Sequence, residues 1–593
     1  MKFPYGVCDF NKIITEKLFY CDRTDYIARI EEMGYFLLFL RPRRFGKSLL
    51  LSMLENYYDV ARKDRFEEIF GHLLISKNPT PLHNQYFILK WDFSCVDPSG
   101  SAEDIKKALN NHVNACIRSF SAIYQDYLQG AIEIYPDDAV SSIKSLLDAV
   151  RPTPYSVYLL IDEYDNFANE VMMGVRREKK DIYEALVYEE GPLKTLFKAV
   201  KSFTDGSGFD RSFITGVSPV VMSDITSGYN IAKNIYFDQT FNDLCGFNEA
   251  EIEKAVNDIA TECGFKERHA ADALDLMRIY YNGYAFAPNA KELVYNPTLA
   301  IYFMEAFSAV CKYPRKMLDA NLAADEAKLR YISQIPKGKE LLLDLMKDNH
   351  QIIISDLSDR FGIEQMLSDK SKDLGFMASF LYYFGVLTIE SETEEGKLIL
   401  RVPNLVTAGL YVKRIQEMLL PEPSDRDDGV LAAEQLYAKG NMEPLCEFVE
   451  QRFFQVFRNR DYRWANELTV KTAFLTLLYN DILYIMDSEK ETGRGYADLT
   501  MIIRPDMRRF KILDILIEFK YVSLKQSGLT GKKVRKLSIK ELQAIPVMRA
   551  KMEEAKKQVE QYGNALEQKY DNLRLKRFAV VSLGFERLLW NTL

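Results

Sequence analysis

One junction constrains the fold more than any other stretch of the chain. The apolar run YFLLFL at 35–40 leads into Arg41-Pro-Arg-Arg-Phe-Gly46-Lys47-Ser48, which opens the helical pattern KSLLLSMLENYY. A strand entering a short loop and then a helix gathers free backbone N–H groups at the positive end of a helix dipole, where a phosphate binds. In such a loop Arg44, Phe45, Gly46, Lys47, Ser48 and Leu49 would cradle a nucleotide, ATP above all. Lys47 would reach its β- and γ-phosphates and the Ser48 hydroxyl would hold Mg²⁺. The full pattern, G-x-x-x-x-G-K-[ST], has glycine where this chain has Arg41. Arg41, Arg43 and Arg44 are open to three readings: contacts to phosphate, fingers reaching a neighbouring subunit's nucleotide, or a solvated basic turn.

A second run, VYLLI at 157–161, ends in Asp162 and Glu163. A strand buried on both faces has no packing use for two acids at its C-terminal end, which is where open parallel sheets place ligands. Asp162 would hold Mg²⁺ through water, and Glu163 would polarise an attacking water. A solvated Asp-Glu-Tyr-Asp turn is the plainer alternative. The run RSFITGVS at 211–218 offers Thr215 or Ser218 as a γ-phosphate sensor, or a capped turn. Apolar runs at 35–40, 86–91, 157–161 and 212–215 alternate with helical segments. That alternation predicts an α/β class with a parallel sheet covered by helices on both faces.

At 593 residues the chain predicts three to five domains of roughly 100–200 residues. Three regions follow from the patterns: 1–240, the nucleotide domain; 241–420, mainly helical and closing in a helix plus hairpin that suits a winged-helix-like unit; and 430–593. The segment PEPSDRDDG at 421–429 is expected to break helix and strand and mark the main boundary. Eight cysteines lie far apart, with no CxxC pair and no HxH or HExxH among the five histidines. This excludes common zinc patterns and predicts reduced thiols in a cytoplasmic protein. The N-terminus lacks the apolar stretch of a secretory signal. No apolar run approaches the ~20 residues that span a bilayer, so no membrane partner is expected. A net charge of −8 argues against a DNA-coating protein unless charge is segregated by domain.

It is segregated. Between 521 and 557, ten lysines and arginines meet three glutamates, which suits a polyanion or a solvated face. Just upstream, Asp498 heads the strand pattern ADLTMII at 497–503, and Ile515-Leu-Ile-Glu518-Phe519-Lys520 lies on a second strand at 510–521, the two joined by RPDMRR. An antiparallel pair would bring Asp498 and Glu518 together, and alternation puts Glu518 and Lys520 on one face. Two acids at a half-buried sheet end suit a hard divalent cation, Mg²⁺ or Mn²⁺, held by Asp498, Glu518 and the Phe519 carbonyl. Such an ion activates water for phosphodiester cleavage, with Lys520 positioning or deprotonating that water, or neutralising charge. A cross-strand surface ion pair remains the alternative.

Taken together, FPYGVCDFNKII, LFYCDRTDYI, RPRRFGKS, LLIDEYD, FITGVSPV, YYNGYAF and VYNP resemble the bacterial AAA-ATPase-like family, whose members are fused to a PD-(D/E)XK nuclease. The loop also resembles that of archaeal STAND-type ATPases. The resemblance spans nearly the whole chain. It implies a P-loop domain of the additional-strand (ASCE) class that tolerates Arg41, a helical lid containing 281–286 and 295–297, and a C-terminal α/β PD-(D/E)XK domain. The usual proline before the Asp is replaced by the sequence Gly495-Tyr496-Ala497. Within that class Glu467 matches an additional metal ligand, although a first-turn glutamate explains it equally. Gln558 and Tyr562 match a face bordering the active site, or a surface Gln and a packed Tyr. The expected function is an ATP-regulated nuclease of nucleic acid, DNA ahead of RNA, compatible with a homo-oligomer and with anti-phage or mobile-element biology. A nucleotide-dependent oligomerising switch, with a nuclease fold that only binds a partner, is the competing reading.

Overall fold

The computed structural model describes residues 1–97, 99–166, 191–204, 208–219, 229–318, 323–335, 337–346, 351–358, 372–457, 467–487, 490–491, 496–570 and 572–593. The first sheet contains β1 (Phe36–Leu40), β2 (Tyr86–Asp92), β3 (Ser156–Asp162), β4 (Phe209–Gly216) and β5 (Lys233–Asn234). Their order is β2-β3-β4-β1-β5 and every pairing is parallel. The four longer strands are almost wholly buried, as β-branched and aromatic runs without alternation require. Strand β4 lies between β1 and β3, so the strand with Thr215 separates the two motif-bearing strands. The expected runs and the observed strands coincide to within three residues at either end.

Helix α1 (Lys47–Tyr58) leaves β1 directly. Helices α2 (Ala102–Ile123), α3 (Ala139–Val150) and α4 (Pro192–Ser202) belong to the same layer system. The helical stretch that follows holds α5 (Glu249–Glu262), α6 (Glu267–Tyr281) and α7 (Pro297–Val310), then α8 (Leu374–Tyr383). A small sheet of β6 (Gln351–Ile354), β7 (Thr388–Glu392) and β8 (Leu398–Arg401) has the order β6-β8-β7. Helix α8 followed by the antiparallel β7–β8 pair is the expected helix and hairpin.

One expectation here is corrected. Cys263 and Cys311 form a disulfide, with Cα atoms 5.7 Å apart at a sequence separation of 48. They are the C-caps of α5 and α7. Packing of these two helices sets the ends together, and spacing in the sequence carries no trace of that. Six cysteines are free.

The chain divides into two compact units. The first is Met1–Cys311 with Ala323–Gly338 and Ile352–Pro403; the second is Asn404–Leu593 with Lys312–Leu322 and Lys339–Gln351. The segment 421–429 lies inside the second unit and is helical from Pro423 onward, which is a further correction. Helix α9 (Pro423–Lys439) starts with Pro423 in its first turn, where the missing N–H is harmless and the fixed φ is suitable. Asp425 favours that same turn through the helix dipole. Gly429 is buried, and a Cβ there would stand 2.6 Å from Leu477 Cδ2, so this glycine serves close packing rather than a turn.

The second unit is built on β9 (Tyr484–Asp487), β12 (Leu499–Ile503), β13 (Asp514–Val522), β14 (Leu575–Leu583) and β15 (Arg587–Thr592), in the order β15-β14-β13-β12-β9. The short strands β10 (Lys490–Glu491) and β11 (Tyr496–Ala497) form a separate antiparallel pair. Strands β13 and β14 are parallel and the other pairs of the large sheet antiparallel. Helix α10 (Glu467–Leu478) packs Phe474 on Phe519. Helix α11 (Pro546–Lys569) buries Met548, Met552 and Ala555 against Ala579 and Val581. Strand β13 begins at Asp514, not at residue 510. Arg508 pairs with Asp514 at 2.9 Å, and Arg574 donates to the carbonyls of Phe510 and Arg508, which holds those residues in the loop. Among the described residues no helix is long and apolar enough to cross a membrane.

Candidate functional site

The residues read as a nucleotide site converge at the C-terminal edge of the first sheet. Gly46 caps α1 with φ +90°, a left-handed conformation that a side chain disfavours. A Cβ there would meet nothing within 4 Å, so conformation and not crowding calls for glycine. The buried Lys47 Nζ donates to the carbonyls of Arg41 at 3.0 Å and Pro42 at 3.1 Å. Burial lowers its pKa, against the pull of Asp162 and Glu163. Asp162 accepts from Ser48 Oγ at 2.6 Å, from Thr215 Oγ1 at 2.6 Å and from the Glu163 N–H at 3.0 Å. One carboxylate therefore joins the start of α1, the end of β3 and β4. Glu163 has φ +48°, and burial raises its carboxyl while Lys47 and Arg43 oppose the rise. Ser218 differs from Thr215: its N–H and hydroxyl go to Asp165 at 2.7 and 2.9 Å, as a turn-capping residue does.

Arg41 fits none of the three readings. It is 1% exposed. Its guanidinium donates to the carbonyls of Leu40, Tyr236 and Phe241 at 2.8, 2.9 and 2.6 Å. It also lies over the rings of Phe39 and Phe286, 4.4 and 4.1 Å from their centroids. Burial lowers its pKa to about 10. The residue in place of the usual glycine is a structural strut beneath the loop. Arg43 Nη2 reaches Asn166 Oδ1 at 3.3 Å.

The loop opens on a cavity of about 290 Å³ lined by 44–49 and Glu163 on one side. Residues 4–8, Phe19, Arg23, 244–247 and Thr298 line the other. Phe45 makes edge-to-face contacts with Tyr284 and Phe286 at 4.9 and 5.1 Å, and Thr298 donates to the Arg44 carbonyl at 3.1 Å. The segments at 281–286 and 295–298 thus pack on the loop, their aromatics serving as core. The far wall went unread in the sequence, because no motif marks a lining built from four separated segments. Asp165 had a signal, the last acid of Asp-Glu-Tyr-Asp, and was missed.

The second cluster lies on β13. The β12–β13 ladder begins at Leu499↔Ile517, which places Asp498 across from Glu518. Asp498 Oδ2 accepts from the Phe519 N–H at 2.7 Å. Lys520 Nζ donates to Glu518 Oε1 at 2.9 Å, to the Phe519 carbonyl at 2.8 Å and to Glu467 Oε1 at 3.5 Å. Glu467 opens α10, and Lys471, one turn later, brings its buried Nζ to 3.9 Å from Asp498 Oδ1. Lys471 was missed, its signal being the four-residue spacing from Glu467.

Burial, the nearby Asp498 and incomplete compensation by Lys520 push the Glu518 carboxyl up to about 7. Glu467 is raised by burial too. Glu518 Oε2 and Gln558 Oε1 are buried with no hydrogen-bond partner. Among the described residues no three His, Cys, Asp or Glu side chains form a ready ligand sphere; the Lys520 ammonium instead bridges Glu518 and Glu467. Two carboxylates, one with an orphaned oxygen, and the Phe519 carbonyl form an all-oxygen donor set. That set fits a small hard cation that keeps most of its water.

Residues 4–226 match the family described as "Predicted AAA-ATPase", and residues 465–590 match the PD-(D/E)XK nuclease superfamily. The two matches give this chain an AAA-ATPase-like region followed by a region similar to the PD-(D/E)XK nuclease superfamily. An uncharacterized protein from the vnfD 5' region of Azotobacter chroococcum mcd 1 is 26% identical over 546 residues, covering 89% of this chain and 90% of that one. Among solved structures, the Walker-type ATPase PABY2304 of Pyrococcus abyssi is 13% identical, with a TM-score of 0.38 over 66% of this chain and 95% of that one. The Aeropyrum pernix ORC2 protein is 12% identical, with a TM-score of 0.30 over 67% and 92%.

Proposed function

We propose that the chain is an ATP-regulated, metal-dependent nuclease. The reading is carried by the second site: a buried Glu518 oxygen without a partner, beside Asp498 and Lys520 on adjacent strands. A buried carboxylate oxygen without a partner is costly unless a donor or a cation completes it. Asp498, Glu518 and the Phe519 carbonyl would hold Mg²⁺ or Mn²⁺, with Glu467 standing behind Lys520. When bound, the ion supplies Lewis acidity and an activated water. Lys520 directs its donors at Glu518, Phe519 and Glu467; from there it positions the water and neutralises charge building on the scissile phosphate. Asp498, tied to the Phe519 N–H, keeps the ends of both strands in register.

At the first site, Lys47 exchanges its two carbonyl partners for phosphate oxygens. Ser48 and Asp162 would hold Mg²⁺, which neutralises phosphate charge. Glu163 orients the attacking water, and Thr215, hydrogen-bonded to Asp162, registers the γ-phosphate. Residues 44–49 bind the phosphates through their backbone and the helix dipole. Control of the second site by the first is inferred from their presence in one chain. DNA is the favoured substrate over RNA.

The deciding experiment incubates the full chain with Mg²⁺ or Mn²⁺ and a panel of DNA and RNA, with and without ATP, beside Lys47→Ala and Lys520→Ala. Cleavage lost in Lys520→Ala, and loss of ATP dependence in Lys47→Ala, are expected. No cleavage of any substrate would overturn the nuclease reading. A rise in mass on ATP addition without cleavage would favour an oligomerising switch.

A further inference from the structure

The second unit carries another cavity, of about 370 Å³, beside the edge strand β15. Its polar lining includes Lys540, Gln543, Arg549, Lys556 and Asn591. They come from the short helix Ile539–Ala544, from α11 and from β15. Three cations meet one lining carboxylate, Glu553, which Lys556 already engages at 3.0 Å. Among the described residues Lys540 and Arg549 form no ion pair. Side chains in this lining are largely donors, and the charge left over is positive.

The strand register ties this cavity to the acids. Glu518 aligns with Ala579, and Ala579 with Asn591. Residues on one such row share a face of the sheet. Ala579 packs under α11, so the row faces that helix. Two strand spacings put Asn591 about 10 Å from Glu518. The cavity thus lies on the same face of the sheet as the candidate metal acids, at the far flank of α11.

We propose that this cavity anchors the phosphodiester backbone of the nucleic acid on which the second site acts; the inference rests on the nuclease reading above. Unpaired Lys and Arg beside neutral amides match phosphate and sugar oxygens, which fix position without reading sequence. Lys540 and Arg549 are exposed, which suits a polymer passing through the cavity with one side in water. A small phosphate ester would need a closed cage.

The test measures binding of labelled single- and double-stranded oligonucleotides to the full chain in EDTA, by anisotropy across salt concentrations. Lys540→Ala with Arg549→Ala is expected to weaken binding at least about tenfold at low salt. It should also reduce the log–log salt slope by about 1.4 for single strands and 1.8 for duplex, as two phosphate contacts require. Arg549→Lys should keep the slope. Lys532→Ala with Lys533→Ala, exposed in the same basic stretch but outside the cavity, should do much less. With Mg²⁺ present, the first pair should raise KM and leave kcat in place.

Equal losses from both pairs would mean diffuse attraction and overturn the site. So would competition by inorganic phosphate or ATP that depends on Arg549, which would mark a free-phosphate pocket. Unchanged affinity in the first pair overturns this inference alone. Failure of the wild-type chain to bind any nucleic acid overturns it together with the nuclease reading.

Discussion

The two sites are built on opposite electrostatic principles. In the nucleotide site the two central charges have protein partners: Lys47 has two carbonyls, and Asp162 has two hydroxyls and an N–H. The loop holds its shape through its own hydrogen bonds and the Arg41 strut. In the nuclease-like site two carboxylates face each other, one with an unpartnered buried oxygen, while Lys520 pairs with Glu518 at 2.9 Å and Lys471 stands 3.9 Å from Asp498. The first site holds its central lysine and aspartate on protein partners; the second leaves a buried carboxylate oxygen open. Preorganised donors are effective where charge develops, because they need no rearrangement at that moment. An unbalanced acid pair instead stores affinity for a cation.

The largest effect is expected where that balance is weakest. Asp498→Ala should lower metal-dependent cleavage by at least about 10³-fold, several kcal/mol of lost charge stabilisation, with the fold intact by circular dichroism. Retention of cleavage would break the comparison at once. Lys520→Ala leaves Glu518 buried without a cation and should also cost about 3–5 kcal/mol of stability, read by urea unfolding. Lys520→Ala combined with Glu518→Gln should recover much of that loss, since the uncompensated charge is gone.

Arg41→Gly sharpens the other side. It would complete the usual loop pattern, yet it strips charged donors from three buried carbonyls and removes two cation–ring contacts. A loss of about 3 kcal/mol or more in stability is expected, with weaker nucleotide binding. An unchanged or improved protein would show that Arg41 is no strut. Next in size, saturating Mg²⁺ should raise the thermal midpoint by about 2–3 kcal/mol equivalent at one hundred times Kd. Glu518→Gln should abolish that rise, whereas Ser48→Ala should leave most of it in ATP-free solution. The smallest effect is Lys47→Ala on stability, about 1–3 kcal/mol from carbonyls left without their donor. The same change should remove ATP hydrolysis, measured as phosphate release.

Legibility in the sequence followed locality. The loop at 41–48 and the Asp162–Glu163 strand end were readable because a few adjacent residues carry strand, turn and helix signals together. The Asp498, Glu518 and Lys520 set was readable because β12 and β13 are neighbours in sequence and alternate with period two. The segment 421–429 departs from its expected break because proline and glycine interrupt helices only in some positions. Proline fits a first helical turn, and Gly429 answers to Leu477, which lies far along the chain. Arg41 misled for a related reason: its partners Tyr236, Phe241 and Phe286 are about two hundred residues away.

By itself, then, the sequence determined which residues can meet phosphate or a hard cation, and the strand and helix elements that carry them. Backbone periodicity and donor chemistry are local properties. Only the tertiary structure decided the Cys263–Cys311 bond, the far wall of the nucleotide cavity, the burial of Arg41, the orphaned Glu518 oxygen and the alignment of Asn591 with Glu518. Each depends on which distant segments pack together. Pairing and desolvation there arise from close packing across the sheets, and no local pattern encodes them.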